Sequence, residues 1–312
     1  MQTKLLLPTL AAIAALTSVT AQTVPPRPKI TGISHIAIYT SDPAATEHYY
    51  TAVVGAVKLS DPESEEGRRY AFSTTQYVEV LPLPAKAGVV RLDHIAWITE
   101  SAEGMRNYLA AKGLKVPARV EHGPGGAVWF QVRDPEGNKV QFVESPARKY
   151  GFASSSIAPN AIGHHIIHVG YMVHDRVAED KFYVDLLGFR PYWWGGRDGK
   201  VEWIAQQCPD GHDWMEYMVT RGTSGVPADM TQRELGVMDH FSIGVVSVPD
   251  AFQALVAANR LDGRHDTAPK IGLDGKYQFN MYDPDGIRTE VMNFHATEKP
   301  CCSPFTAEDP SE

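Results

Sequence analysis

One pattern that returns four times constrains this chain more than any other feature. Its openings are ISHIAIYTSD from residue 33, LDHIAWITES from 92, IIHVGYMVHD from 166 and MDHFSIGVVS from 238. In each, a His leads a run of alternating apolar residues, the period of a half-buried strand, and a helical segment follows. The helical segments are Pro43 to Gly55, Ala102 to Gly113, Val177 to Gly188 and Pro249 to Asn259. Gly55, Gly113 and Gly188 are expected to close the first three helices in the left-handed conformation that glycine reaches most easily.

Strand-like runs broken by turn signals come after each helix, and each block ends on a polar residue in an apolar frame: TQYVEVLPL, NKVQFVE, DWMEYMV and IRTEVMNF. The opening His and the closing residue pair as His35 with Glu79, His94 with Gln141, His168 with Glu216 and His240 with Glu290, at separations that agree to within a few residues. The second and fourth blocks share a further mark, RDPEGNKVQ and YDPDGIRTE, where a DP-x-G turn precedes the closing strand by the same offset. The expected fold is therefore α+β, with four tandem β-α-β-β-β modules paired into two domains, residues 32–146 and 164–294. Residues 147–163, in a stretch rich in Ser, Ala and Pro, read as the linker, and 295–312 as an extended, acidic, proline-bearing tail along the surface.

At 312 residues and 43% hydrophobic the chain can bury two ordinary cores. A net charge of -8 without a basic run argues against nucleic acid and anionic membrane surfaces as partners and leaves a small molecule. Residues 1–21 carry one Lys, an apolar stretch too short to span a bilayer, and small residues up to Ala21, which reads as a signal peptide on an exported protein, periplasmic or secreted. Residues 22–31, with three prolines, read as an extended lead-in. The three cysteines allow one bridge, from Cys208 to Cys301 or Cys302.

Chemistry concentrates in the second half. His168, Glu216, His240 and Glu290 each sit in a strand-like apolar run, and buried imidazoles and carboxylates need partners. One divalent transition metal, with Fe, Mn, Ni, Co and Zn all suited to such ligands, would satisfy the four together. Four protein ligands on an octahedral ion leave two positions for a substrate with adjacent oxygens. His35, Glu79, His94 and Gln141 form a second candidate set in which an amide replaces the last carboxylate, and Glu144 falls on the opposite strand face. Tyr192, Trp193, Trp194, Trp203 and Trp214, with Arg197 and Lys200, could wall a substrate pocket.

The openings HIAI, HVGY and HFSI and the closings DPEGNKVQ and DPDGIRTE resemble the vicinal oxygen chelate superfamily, which includes glyoxalase I, extradiol dioxygenases and bleomycin or fosfomycin resistance proteins. The resemblance covers about residues 32 to 294. It implies that paired modules form cup-shaped sheets whose ligands come from the first and last strands of each module. It also implies a lyase or isomerase in which the metal holds an enediolate, with Glu290 as the base and Glu216 as its counterpart across the ion. Two alternatives stand beside that expectation. An extradiol-type Fe(II) dioxygenase acting on a catechol would use His168, His240 and Glu290, but Asn280 stands where its signature expects Tyr, and His265 lies too far upstream. A binding protein without catalysis would not need so full a set of ligands.

Overall fold

The computed structural model describes residues 24–144, 158–220 and 226–312; the expected signal peptide and most of the linker lie outside the described residues. The first domain contains β1 (Ile30–Thr40), β2 (Val57–Ser60), β3 (Arg68–Ala71), β4 (Tyr77–Pro82), β5 (Leu92–Thr99), β6 (Glu121–His122), β7 (Val128–Arg133) and β8 (Lys139–Glu144). The second contains β9 (His165–Val173), β10 (Arg190–Gly195), β11 (Trp203–Gln207), β12 (Trp214–Val219), β13 (His240–Val245), β14 (Lys270–Ile271), β15 (Tyr277–Tyr282) and β16 (Arg288–Asn293). Each set forms one curled eight-stranded sheet, in the orders β2-β3-β4-β1-β5-β8-β7-β6 and β10-β11-β12-β9-β13-β16-β15-β14. The two orders match strand for strand, so the fourfold repeat and its pairing into α+β cups are borne out.

Within each module the first strand lies parallel to the last, as β1 does to β4 and β13 to β16, because the helix carries the chain across between them. Modules join through their first strands, β1 against β5 and β9 against β13, both antiparallel. The four strands expected to carry ligands are thereby the central four of each sheet.

The helical segments fall where the sequence puts them, with a departure inside. Pro43–His48 and Arg176–Asp180 begin as α-helix, under side-chain caps from Asp42 and Asp175, and then widen to π-helical turns over Tyr49–Val54 and Lys181–Leu186. Gly55, Gly113 and Gly188 do adopt positive φ, and in the fourth module Asn259 takes that conformation instead. A further helix, Gln232–Met238, opens on a capping box between Thr231 and Glu234 and leads into β13.

One apolar core runs through both domains, from Ile36, Ile38 and Trp97 in the first sheet to Val169, Phe241 and Val291 in the second. Each such fully buried side chain contributes about 1.5–3 kcal/mol. Across the seam, Trp97 meets Phe189 edge-on and Tyr50 stacks near Phe241.

The two DP-x-G turns lock this seam. Glu136 accepts from the backbone N–H of His174 and of Asp175, each at 2.6 Å, where the second domain's first helix begins. In the equivalent place Asp285 accepts from Ser41 N at 2.9 Å, Ser41 Oγ at 2.7 Å and Arg91 Nε at 2.9 Å. Each domain's second module thus caps the opposite domain's first.

The tail is extended, as expected, but it is not a surface appendage. It leaves β16, donates from Thr297 N and Cys301 N to the carbonyls of Gly275 and Leu273 in the β14–β15 turn, and then crosses to β10. There Thr306 N donates to Tyr192 O, and Trp194 N donates to Ser303 Oγ. The strap joins the two outer edges of the C-terminal sheet. Phe305 packs into an aromatic cluster with Tyr192, Trp193 and Trp214, and Asp309 pairs at 2.8 Å with Lys276, whose side chain is fully buried. An uncompensated ammonium there would be costly, which explains why the tail carries a carboxylate at that point. The bridge to Cys208 that the cysteine count allows is not made: Cys301 and Cys302 are joined to each other, and Cys208 is buried and free. Among the described residues no helix is long and apolar enough to cross a membrane.

Candidate metal centres

Register explains how ligand-type side chains converge. Glu216 and His240 lie on either side of Gly170, while His168 and Glu290 flank Ser242. In the first sheet Glu79 and His94 flank Ala37, and His35 and Gln141 flank Ala96. Each small residue stands two positions after an opening His, on the same strand face, and leaves room for the larger side chains beside it. That signal, HIA, HIA, HVG and HFS, is present in the sequence.

In the C-terminal cup the ligand atoms of His168, His240 and Glu290 all lie within 4.8 Å of one another, and all three residues are buried. His168 Nε2 is 3.0 Å from His240 Nε2 and 3.1 Å from Glu290 Oε2. His240 Nδ1 sits 2.7 Å from the Met238 carbonyl, so it carries the proton and Nε2 offers a bare lone pair. Acceptors therefore face each other with at most one proton, on His168, to share between them. A divalent cation fits this donor set better than any protein group nearby. Glu216, the fourth expected ligand, reaches to 3.4 Å from His240 Nε2 but stands outside the tight group of three.

The two carboxylates are pushed apart. Burial raises Glu290, but the Arg288 guanidinium and the His168 hydrogen bond outweigh it and hold the carboxyl down at about 2. Burial raises Glu216, with the nearby Glu290 charge adding to it and His168 and Arg288 opposing. Burial also holds His240 well below the ordinary imidazole range, with the Arg288 and His168 charges adding to it. Arg288 is a residue the sequence reading missed. It sits two positions before Glu290 in register with His240, and its Nε and Nη2 are buried with no hydrogen-bond partner among the described residues. A basic side chain at that offset from a closing carboxylate was the available signal.

The aromatic wall divides. Trp214 lies against His168, ring centroids 4.7 Å apart, as Tyr77 stacks on His35 at 4.4 Å in the other cup. Tyr192 and Trp193 are buried, yet the strap covers them. Trp194 is 43% exposed, and Arg197 stacks on the half-buried Trp203 with its own side chain 68% exposed. Trp194 and Arg197 are thus largely open to solvent, whereas Trp203 pairs with Met218 on the strand face that carries Glu216 and packs against the aromatic cluster. His265 is also nearer than its sequence distance implied, bridging to Met281 beside Asn280, but its ring packs toward Phe252.

The N-terminal cup repeats the arrangement with one exchange. His35, Glu79 and His94 form the tight group, so the carboxylate comes from the first module's closing strand rather than the second's. His35 Nε2 and His94 Nε2 are 3.0 Å apart, and Glu79 Oε2 lies 3.7 Å and 3.5 Å from them. Gln141 brings its amide oxygen to 3.2 Å from His94 Nε2. Burial and the neighbouring Asp61 and Glu63 carboxyls push Glu79 up to about 10, against the opposing charge of Arg69.

Residues 32–142 and 156–291 match the model of the Glyoxalase/Bleomycin resistance protein/Dioxygenase superfamily. No curated protein matches the sequence significantly. Among solved structures the chain is similar to the Mn(II)-bound glyoxalase from Novosphingobium aromaticivorans, at 19% identity and a TM-score of 0.63, over 85% of this chain and 83% of that one. It is similar also to homoprotocatechuate 2,3-dioxygenase from Brevibacterium fuscum in complex with 3,4-dihydroxyphenylacetate, at 19% identity and a TM-score of 0.61, over 92% and 85%. A third likeness is to the 2,3-dioxygenase LapB from Pseudomonas sp. KL28, at 13% identity and a TM-score of 0.63, over 89% and 97%.

Proposed function

The chain belongs to the Glyoxalase/Bleomycin resistance protein/Dioxygenase superfamily, and from that premise we propose that its C-terminal cup is the centre of an exported, metal-dependent lyase or isomerase acting on a small oxygenated molecule. The observation that carries the reading is the convergence of His168, His240 and Glu290 as acceptors on one point. These three would hold the cation, with Glu216 at its open side. When bound, the cation supplies Lewis-acid stabilisation of negative charge on substrate oxygens.

The protein's own groups account for the rest. Glu290, held ionised by Arg288 and His168, serves as a ligand. Glu216 stands outside the tight group, with 14% of its side chain exposed against 3% for Glu290, and takes the proton from the substrate carbon. The base therefore moves from Glu290, where the resemblance placed it, to Glu216. Arg288 turns two unpartnered donors to an anionic oxygen of the substrate, and Trp214 and Met218 keep water from the inner wall. Met1 to Ala21 is removed on export, so the mature protein begins at Gln22.

The test is turnover of a panel of α-hydroxycarbonyl compounds and catechols, with and without O₂, by wild type and Glu216→Gln. Oxygen-independent turnover, lost in the variant while bound metal is retained, supports the reading. Catechol-dependent O₂ uptake overturns it in favour of an extradiol dioxygenase, a second reading supported by the three-ligand group from which Glu216 stands apart. N-terminal sequencing of protein recovered from outside the cytoplasm checks the export; an intact Met1 sinks that part.

A further inference from the structure

The exchange of carboxylate between the two cups leaves the N-terminal one with features a purely structural relic would not need. His94 Nδ1 is 2.8 Å from Asp93 Oδ2, an acceptor that places the ring proton on that nitrogen and leaves Nε2 as a lone pair. Gln141 Nε2 donates to Glu63 Oε2 at 2.6 Å, and this bond turns the amide oxygen toward His94. Glu79 is 2% exposed, and its Oε2 has no hydrogen-bond partner among the described residues. A lone pair on His94, the amide oxygen of Gln141 and a carboxyl oxygen of Glu79 without a hydrogen-bond partner among the described residues thus lie beside His35 Nε2 at one place. Buried acceptors without donors are strongly disfavoured, and a cation resolves all of them at once.

Access distinguishes the two cups. A cavity of about 340 Å³ opens directly on Glu79 and His94, walled by Glu63, Asp93, Arg119 and Glu121. Its carboxylates outnumber its single guanidinium, so it attracts cations. The C-terminal cup is crossed by the strap, with Phe305 and Asp309 over its aromatic wall. Among the described residues nothing comparable crosses the first.

We infer that the N-terminal cup is a second divalent-metal site, formed by His35, Glu79 and His94 with Gln141 facing the ion, and that it exchanges its metal with solvent faster than the strapped C-terminal centre does. The inference does not depend on the reaction proposed for the other cup.

The experiment loads the full-length mature protein with Mn²⁺, removes loose ion by gel filtration, and measures bound metal per chain and its release to excess EDTA. Two ions per chain are expected, leaving in two phases, with one ion and only the slow phase in Glu79→Gln and in H94A. The isosteric E79Q keeps the packing, and unchanged circular dichroism checks that loss of metal is not loss of fold. A single ion that survives E79Q and disappears in H240A overturns the inference while leaving the C-terminal reading intact. A single ion that survives H240A and disappears in E79Q supports the N-terminal site but overturns the comparison of exchange rates, because it removes the metal from the C-terminal cup. A fast phase that persists in E79Q but vanishes in H240A overturns the order of access.

Discussion

Gly170 and His240 are in direct register, and a Cβ added at Gly170 would lie 2.0 Å from Cε1 of the His240 ring. No rotamer of a ring held at 2.7 Å by the Met238 carbonyl absorbs such an approach without moving Nε2. Gly170→Ala is therefore expected to weaken metal binding at the C-terminal centre by about 10- to 100-fold, the scale of losing a ligand's supporting contacts. Metal titration of the variant checks this, and affinity unchanged at that centre would show that His240 is not a ligand.

Asp285 joins the domains. Its side chain and that of Arg91 are 1% and 7% exposed, so Asp285→Ala leaves a buried guanidinium unpaired and strands the donors of Ser41. A loss of about 3–5 kcal/mol is expected by chemical denaturation. A cost under about 1 kcal/mol would mean that the turn does not hold the seam.

The strap predicts a coupled pair. Asp309→Ala strands the buried Lys276 ammonium and costs about 3–5 kcal/mol, whereas adding Lys276→Met to it restores much of the loss. Denaturation of the single and double variants gives the coupling. Additive losses would show that the two residues stabilise the tail independently.

Stability should fall as the solution turns alkaline, and Glu179 is one cause. Burial, with the charges of Asp134 and Glu136 adding to it, raises this carboxyl from its ordinary 4.5 to about 8. A group whose folded pKa is raised contributes stability that is complete below the unfolded value and is lost as pH rises through the folded one. Glu179→Gln keeps an acceptor for Glu136 N and a partner for Tyr171 Oη. Its Tm is expected to drop less than that of wild type between pH 5 and pH 9 (about one unit beyond the folded value). Parallel curves for the two proteins would rule the mechanism out.

What the sequence revealed and what it concealed divide along one physical line. Features written in local period were legible: the opening His and closing carboxylates repeat with the strands that bear them, so their convergence on the central four strands of each sheet followed. Contacts made between distant segments carry no period. Nothing near Glu63 announces that it would orient Gln141, and nothing in HATEKPCCSPFTAEDPSE announces that Phe305 and Asp309 would finish a core begun by Tyr192 and Lys276. The aromatic residues around Trp193 suggest a pocket in the sequence because a strand's sequence shows which side chains share a face, and not what covers that face. Arg197 falls in the turn between β10 and β11, where strand alternation assigns no face.

Because the strap ties the β14–β15 turn to β10, the last residues of the chain belong to the fold of the second domain. Cutting them away would bare Tyr192, Trp193 and Trp214 to water and leave the Lys276 ammonium without its carboxylate, so the end of this chain is a poor place to trim.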